Sequence, residues 1–278
     1  NVWLDELLAA PHKRAMPILS FPSVSLLGIT VSDLIGSSDL QAQGMKMIAD
    51  RVACAASVSM MDLSVEAEAL GSQIRISDDE VPTVIGSIIT DEEEAETLKV
   101  PSVGACRTGR YIEAIGKACQ LITDRPVFAG VIGPFSLAGR LMDVTEALVN
   151  CYAEPDMVHI AMRKATEFLI AYIKAYKQIG AQGVVIAEPL TGLLSPDMAA
   201  QFSEPYVRQI VEATKDDSFA VIYHNCGNNT IQMIDSILRT GCSAYHFGNS
   251  ISMKDMMSHI PAGTIAMGNV DPAAQFRN

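Results

Sequence analysis

Several features that assign proteins to common functional classes are missing from this sequence of 278 residues. No apolar run approaches the roughly 18 residues that a membrane-spanning helix needs. No cluster of Lys and Arg forms a basic surface, which argues against nucleic acid and anionic membranes as partners. Asn1–Glu6 shows no basic segment leading into an apolar stretch, so we expect no secretory signal.

Closely spaced cysteine pairs are also missing. The chain is 49% hydrophobic, and none of its six cysteines forms a CxxC pair: Cys54, Cys106, Cys119, Cys151, Cys226 and Cys242. Small extracellular domains depend on disulfides, whereas a long apolar chain can build a core without them. We therefore expect mostly buried thiols and a reducing, cytoplasmic environment.

A glycine-rich nucleotide loop is absent as well. Gly104–Arg110 contains two glycines, but it lacks the Lys-Ser/Thr pair of a phosphate-binding loop and follows no strand, so it is predicted to be an ordinary turn. The net charge of −12 is attributed to solubility. Its densest acidic run, Asp91–Glu96, is predicted to begin a helix after Thr90, where acidic side chains are stabilising.

The pattern that is present alternates short β-rich apolar runs with longer helical stretches, which is typical of βα units and a parallel sheet. The predicted strands are Ala15–Phe21, Ser57–Leu63, Pro126–Ile132, Gly183–Ala187, Phe219–Tyr223, Ala244–Phe247 and Thr264–Met267. The predicted helices are Asp39–Ala55, Arg107–Leu121, Thr145–Tyr152, Pro155–Ile179, Pro196–Thr214 and Thr230–Leu238, with a hairpin from Gln73–Ile76 and Val84–Ile89. Residues 1–278 are predicted to be a single (β/α)₈ TIM-barrel domain whose eighth strand lies beyond Asn278.

Chemistry-bearing side chains follow most of the predicted strands. Active sites of such barrels lie at the carboxyl ends of the strands. The candidates, in strand order from the second to the seventh, are Asp62, Phe135, Glu188, the pair His224 and Cys226, His246 with Asn249, and Asn269 with Asp271. We expect them to meet at one mouth of the barrel.

His224 and Cys226 form the sharpest pair. Residues i and i+2 of an extended segment point to the same side, so an imidazole nitrogen and a thiolate can reach one ion. Zinc accepts this mixture of ligands. The alternative interpretation is a core histidine beside a buried thiol.

The remaining candidates each have two interpretations. Glu188 and Asp62 are candidate acid/base or substrate-orienting groups, and their alternative is the capping of the helices that follow. His246 is either a histidine of the core or outer shell or a surrogate metal ligand.

Five motifs occur in the order seen in the uroporphyrinogen decarboxylase superfamily, which this sequence resembles from about residue 15 onward: Asp62–Gly71, Gly133–Ala138, Glu188-Pro189 with Leu194–Pro196, His224–Gly227 and Gly268–Pro272. Within it, the sequence is most similar to the methylcobalamin:coenzyme M methyltransferase branch. That resemblance implies a zinc ion held by His224, Cys226 and a later cysteine expected beyond Asn278. It further implies a methyl-corrinoid on a partner protein as methyl donor, and coenzyme M or another acceptor such as tetrahydrofolate. Glu188 and Asp62 would position or deprotonate the acceptor, while Phe135, Asn249, Asn269 and Asp271 would shape its site.

Two alternative functions stay open. The first is a metal-free lyase of the decarboxylase type, although Phe21–Ser25 lacks the arginines that the resemblance associates with porphyrinogen binding. A mouth lined by Asp62, Glu66 and Glu188 would also repel a polyanion. The second is a non-catalytic barrel that docks a corrinoid protein. An acidic acceptor needs compensating cations, and the strand ends offer none in the sequence.

Overall fold

A curled parallel sheet organises the chain in the computed structural model, which describes residues 1–19, 21–271 and 273–274. Its six strands pair in chain order: β1 (Ser57–Val58), β4 (Val127–Ile132), β5 (Gly183–Ala187), β6 (Ala220–Asn225), β7 (Ala244–Phe247) and β8 (Ile265–Met267). A separate antiparallel hairpin contains β2 (Gln73–Arg75) and β3 (Thr83–Ile85). Sequential parallel pairing with helical crossovers is the arrangement of a (β/α)₈ barrel.

The described residues form fourteen α-helices before and between the strands: α1 (Val2–Ala9), α2 (Pro22–Leu27), α3 (Val31–Gly36), α4 (Ser38–Arg51), α5 (Val65–Ala69), α6 (Glu92–Thr97), α7 (Thr108–Leu121), α8 (Pro134–Met142), α9 (Val144–Ala153), α10 (Pro155–Ile179), α11 (Pro196–Phe202), α12 (Glu204–Thr214), α13 (Ile234–Arg239) and α14 (Met253–Met257). A 3₁₀ turn spans Pro189–Leu193. No helix in the described ranges is long and apolar enough to cross a membrane.

Strands β1 and β4 to β7 are almost completely buried on both faces, as expected for a parallel sheet between two layers, whereas β8 is half-buried. On β6, Ala220 and Ile222 belong to a small inner cluster, whereas Val221 and Tyr223 pack into the large cluster under the helices. The same alternation continues along the strand, so it decides which residues at its carboxyl end face the barrel interior.

The predicted first strand, Ala15–Phe21, is wrong. Residues 15–19 form no strand, and Ser20 lies outside the described residues. Pro17 cannot donate a ladder hydrogen bond, which disfavours a strand here. Pro22 occupies the first turn of α2, where its missing N–H costs nothing, instead of merely ending a strand. The second predicted strand shortens to β1.

The predicted helices lie where the structure has helices, but their boundaries differ. The predicted helix Pro196–Thr214 is divided into α11 and α12 at Ser203, because Pro205 lacks the N–H that would continue the ladder. Two of the predicted boundaries carry caps: Ser195 Oγ accepts from Met198 N at the start of α11, and Gly180 closes α10 at φ 114°. Helices α2, α3, α8 and α14 were not predicted.

Candidate active site

One rung of the sheet brings the candidate histidines together. Ala187, His224, His246 and Met267 are register partners across β5, β6, β7 and β8. His224 and His246 both face the barrel interior, and their ring centroids are 4.8 Å apart. This pairing follows from parallel register alone, since each histidine stands at the end of its strand.

The two imidazoles are hydrogen-bonded to each other. Their Nδ1 atoms lie 2.7 Å apart, so one of them donates and the other accepts. Burial, with a smaller effect from the neighbouring His246, lowers the pKa of His224 to about 4, and burial also lowers the pKa of His246. Both rings are therefore neutral near pH 7, the state in which imidazole binds a metal. A His224 that donates from Nδ1 keeps a free lone pair on Nε2.

The turn after β6 places Cys226 on the same side as His224. Between them, Asn225 points the other way and is fully buried. Its Oδ1 accepts from Gly227 N at 2.8 Å and its Nδ2 donates to Glu188 O at 3.2 Å, which fixes the turn. Gly248 permits the close approach of the next loop, because a Cβ there would lie 2.5 Å from Cys226 Cβ. The i and i+2 arrangement expected for the pair is present.

A cavity of about 990 Å³ opens in front of these residues. Five of the nine candidates line it: His224, Cys226, His246, Asn249 and Asn269. The amide of Asn269 also ties the loops, donating to Gly248 O at 2.8 Å and Ile251 O at 2.7 Å. Phe135 is fully buried in α8, and Asp271 is an exposed turn residue that accepts from Ala273 N. Neither of these two lines the cavity.

Glu188 points away from the cavity into the helix layer. It is fully buried, and its carboxylate accepts from the backbone N–H groups of Phe135 at 3.2 Å and Ser136 at 2.8 Å. The hydroxyls of Thr191 and Ser203 donate to it as well, at 3.1 and 3.2 Å. Burial raises the pKa of Glu188, and these donors oppose the rise. Glu188 thus caps the amino end of α8, which precedes it in the chain, and its side chain does not cap the 3₁₀ turn that follows it, as the alternative interpretation had it.

Asp62 lies in a buried polar network that also stands apart from the cavity. Its carboxylate pairs with Arg107 Nη1 at 2.6 Å and accepts from Tyr111 OH at 2.7 Å and Ser64 Oγ at 2.6 Å. Arg107 Nε bonds Glu68 at 2.5 Å. Arg107 and Tyr111 were not predicted to join Asp62, because they follow a loop rather than a strand. Their only signal was a cationic side chain within the Gly104–Arg110 segment.

The charge of the cavity wall differs from the expectation. The mouth was predicted to be lined by Asp62, Glu66 and Glu188, but none of the three faces the cavity, and no described Asp or Glu does. Three cations do line it: Lys13, Arg14 and Lys254. The prediction of an acidic mouth is wrong. Side chains alternate along β5, so Ala187 faces the barrel interior and Glu188, the next residue, points outward.

The side chains at the site are of the types that bind zinc, but there are too few of them to complete a zinc site. An imidazole nitrogen and a cysteine sulfur are ordinary zinc ligands, and the cavity lets a ligand approach them. Across the described chain, no group of three or more His, Cys, Asp or Glu is placed to hold a metal ion. His224 and Cys226 can therefore supply two ligands and need a third.

Comparison with known proteins agrees with this architecture. A family model described as "Uroporphyrinogen decarboxylase (URO-D)" matches residues 11–278. The chain is 27% identical over 227 residues to "Methylcobamide:CoM methyltransferase MtbA" of Methanosarcina acetivorans, covering 78% of this chain and 64% of that protein. It is 25% identical over 225 residues to the uroporphyrinogen decarboxylase of Desulfotalea psychrophila, covering 79% and 65%. The chain thus spans less than two thirds of the length of these curated relatives.

A solved structure shares the fold. It is a "methyltransferase from Methanosarcina mazei", with a TM-score of 0.85 at 22% identity, covering 96% of this chain and 81% of that one. The parallel sheet is therefore part of a TIM barrel, as predicted from the strand pattern.

Proposed function

The chain belongs to the uroporphyrinogen decarboxylase family, and from that premise we propose that it is a methyltransferase that moves a methyl group from a corrinoid to a small acceptor. The donor is a methyl-corrinoid carried by a partner protein, and the acceptor is a thiol such as coenzyme M. The likeness to a methylcobamide:CoM methyltransferase supports this choice within the family. One observation carries the proposal: the neutral imidazole of His224 and the side chain of Cys226 lie side by side on the wall of one open cavity.

The chemistry is a displacement at carbon. The acceptor sulfur forms a bond to the methyl carbon, the cobalt–carbon bond breaks with its electron pair staying on cobalt, and the thiol proton passes to water. The thiolate is the reactive form. The barrel's task is to hold the sulfur in line with the methyl group and to limit water in the cavity.

A zinc ion fits this task. His224 and Cys226 would hold it together with a ligand outside the described set, and when bound it would lower the pKa of the acceptor thiol. The hydrogen bond to His246 fixes the ring orientation of His224, and in the tautomer in which His224 donates from Nδ1 its Nε2 is free to bind the ion. Asn269 shapes the cavity floor by tying the loops around Cys226. Glu188 and Asp62 act on the acceptor only indirectly, through the helix and loop that they hold.

The test measures zinc content and methylcobalamin demethylation with coenzyme M or tetrahydrofolate as acceptor. We expect Cys226→Ala to lose the zinc and at least about 100-fold in rate, in the range of losses seen when a metal ligand or its supporting partner is removed. Cys106→Ser is the matched control, since Cys106 is exposed and lies outside the cavity. Zinc that stays stoichiometric in Cys226→Ala would contradict the site assignment. Absence of demethylation with every acceptor would contradict the function.

A metal-free lyase is the second candidate. The acidic mouth predicted from the sequence argued against it, but the observed cationic wall does not. A wall with three cations and no described carboxylate tolerates a polycarboxylate. Turnover of uroporphyrinogen in the presence of a strong chelator supports the lyase, whereas turnover of methylcobalamin that the chelator abolishes supports the transferase.

A further inference from the structure

The exposed thiol of Cys226 stands on a backbone that buried polar side chains hold in place. Cys226 is exposed on the cavity wall, whereas Asn225 before it and Thr230 beyond the turn are each 0% exposed. Neither Asn225 nor Thr230 lines the cavity. Any effect of these two residues on a ligand in the cavity must therefore pass through the position of Cys226.

Asn225 holds the amide side of the turn after β6. A backbone N–H needs an acceptor and a backbone C=O needs a donor, and an asparagine side chain can satisfy one of each. The Oδ1 atom of Asn225 accepts from Gly227 N at 2.8 Å, and its Nδ2 atom donates to Glu188 O at 3.2 Å. The turn is thereby tied to the residue that follows β5.

Thr230 holds the carbonyl side of the same turn. Its hydroxyl donates to Gly227 O at 2.5 Å, so both polar backbone groups of Gly227 meet a buried side chain. A Cβ on Gly227 would also lie 2.5 Å from Gly192 Cα, so the turn cannot move toward the loop after β5. From the other side, Ser250 Oγ donates to Cys226 O at 2.8 Å. The backbone of Cys226 is therefore held on both sides.

We infer that Asn225 and Thr230 are positioning residues that orient the Cys226 sulfur for a metal ion before the ion binds. The inference rests on the proposed metal-assisted methyl transfer. A ligand on a fixed backbone loses less conformational freedom when the ion binds, so the ion is bound more tightly than by a loose turn. Both residues act only through the turn.

Thr230→Val tests the inference, and Thr214→Val is its matched control. Thr214 is also buried and donates to a backbone carbonyl, that of Ile210 at 2.7 Å, but it lies on α12 outside the cavity. Each valine removes one buried hydroxyl bond, so the two variants should lose similar stability. We expect zinc binding to weaken about 10- to 100-fold in Thr230→Val, as when a supporting partner of a metal ligand is removed, and to be unchanged in Thr214→Val. Competition with a chromophoric chelator measures the dissociation constant.

Two further variants separate hydrogen bonding from packing. Thr230→Ser keeps the hydroxyl and should retain the zinc affinity of the parent. Asn225→Leu has a similar shape but neither donor nor acceptor, so Gly227 N and Glu188 O lose their partner. It should weaken zinc binding at least as much as Thr230→Val does.

Hydrogen exchange of the metal-free protein tests the turn without the ion. The Gly227 N–H should be protected in the parent and in Thr214→Val, and should exchange about 5- to 10-fold faster in Thr230→Val, since one buried hydrogen bond is lost. Unchanged protection of Gly227 in Thr230→Val would overturn the inference.

The zinc measurements distinguish the inference from the proposed function. Equal zinc affinity in the parent, Thr230→Val and Asn225→Leu overturns the inference, and so does an equal loss of affinity in Thr230→Val and Thr214→Val. Zinc affinities in the expected order, without methyl transfer to any acceptor, support the positioning role and contradict the proposed function. A parent protein that binds no zinc contradicts both.

Discussion

Glu66 and Glu188 are both fully buried, yet their carboxyl groups meet different partners. Glu66 Oε1 accepts from Ile132 N at 3.0 Å, whereas its Oε2 has no partner among the described residues. Burial, with a smaller effect from Asp62, raises the pKa of Glu66 to about 8. Glu188 instead meets four donors, which favour a carboxylate. The same substitution should therefore have opposite effects at the two sites.

Glu66→Gln should stabilise the protein at neutral pH. The folded chain keeps the Glu66 proton up to about pH 8, while the unfolded chain releases it near the ordinary value of 4.5. Because the folded state binds more protons in this window, parent stability falls as pH rises from 4.5 to 8 and levels off above it. Glutamine removes this dependence and keeps the acceptor for Ile132, so we expect a gain of about 2–4 kcal/mol at pH 7.5 and little at pH 4.5. Urea unfolding across this range measures it, and parallel curves for the two proteins would contradict the assignment.

Glu188→Gln should destabilise the protein. Glutamine replaces one carboxylate oxygen, which accepts, with an NH₂ group, which donates, so that donors face N–H or hydroxyl donors and buried groups are left unsatisfied. We expect a loss of about 1–3 kcal/mol in the free energy of unfolding. The rate of methyl transfer should change little, because Glu188 lies outside the cavity and acts on it only through the position of α8. A large loss of kcat with unchanged stability would instead give Glu188 a direct role in the reaction.

At the scale of elements, the loops after β6 and β7 are packed too closely to accept a side chain between them. Gly248→Ala would place a Cβ 2.5 Å from Cys226 Cβ and 2.7 Å from Cys226 Cα, and backbone cannot yield cheaply. We expect Cys226 to shift, zinc content and methyl transfer to fall at least tenfold, and stability to fall by about 1–3 kcal/mol. Zinc analysis and the demethylation assay measure the effect. Gly36→Ala is the control, since nothing lies within 4 Å of its added Cβ. Full zinc and activity in Gly248→Ala would show that Cys226 need not hold this position.

The sequence predicted the elements that carry long periodic patterns and missed several short ones, two of which begin at a proline. α10 was placed from its apolar spacing and its closing Gly180, because local signals suffice there. α8 was missed because Gly133-Pro134 was interpreted as a strand end, although Pro134 is well suited to the first turn of a helix. The cap from Glu188 that fixes α8 comes from a residue 52 or 53 positions away and left no local signal.

At the scale of the whole molecule, strand order predicted the site better than residue type did. His224, His246 and Asn269 share a cavity because the carboxyl ends of parallel strands meet at one edge. Glu188 could have been excluded from it by extending the alternation past Ala187. The cations could not have been foreseen, since Lys13 and Arg14 lie in an irregular segment far in sequence from the strand ends. Their position depends on how the amino-terminal segment crosses the open side of the sheet.

That segment is fixed to the barrel interior through Trp3, the single tryptophan of the chain. Trp3 Nε1 donates to Ala55 O at 2.9 Å, and its ring meets Phe128 edge-on at 4.9 Å within the inner cluster. Ala55 N in turn donates to Ala15 O, which couples α1 to the segment that carries Lys13 and Arg14.

Trp3→Ala should therefore weaken the fold. We expect a loss of about 2–4 kcal/mol in unfolding free energy from the deleted ring and hydrogen bond. Trp3→Phe keeps an aromatic ring and should lose only about 1 kcal/mol, the value of one hydrogen bond. Urea unfolding of the three proteins measures both losses. Equal stability in the parent and Trp3→Ala would mean that the amino-terminal segment is held by other contacts.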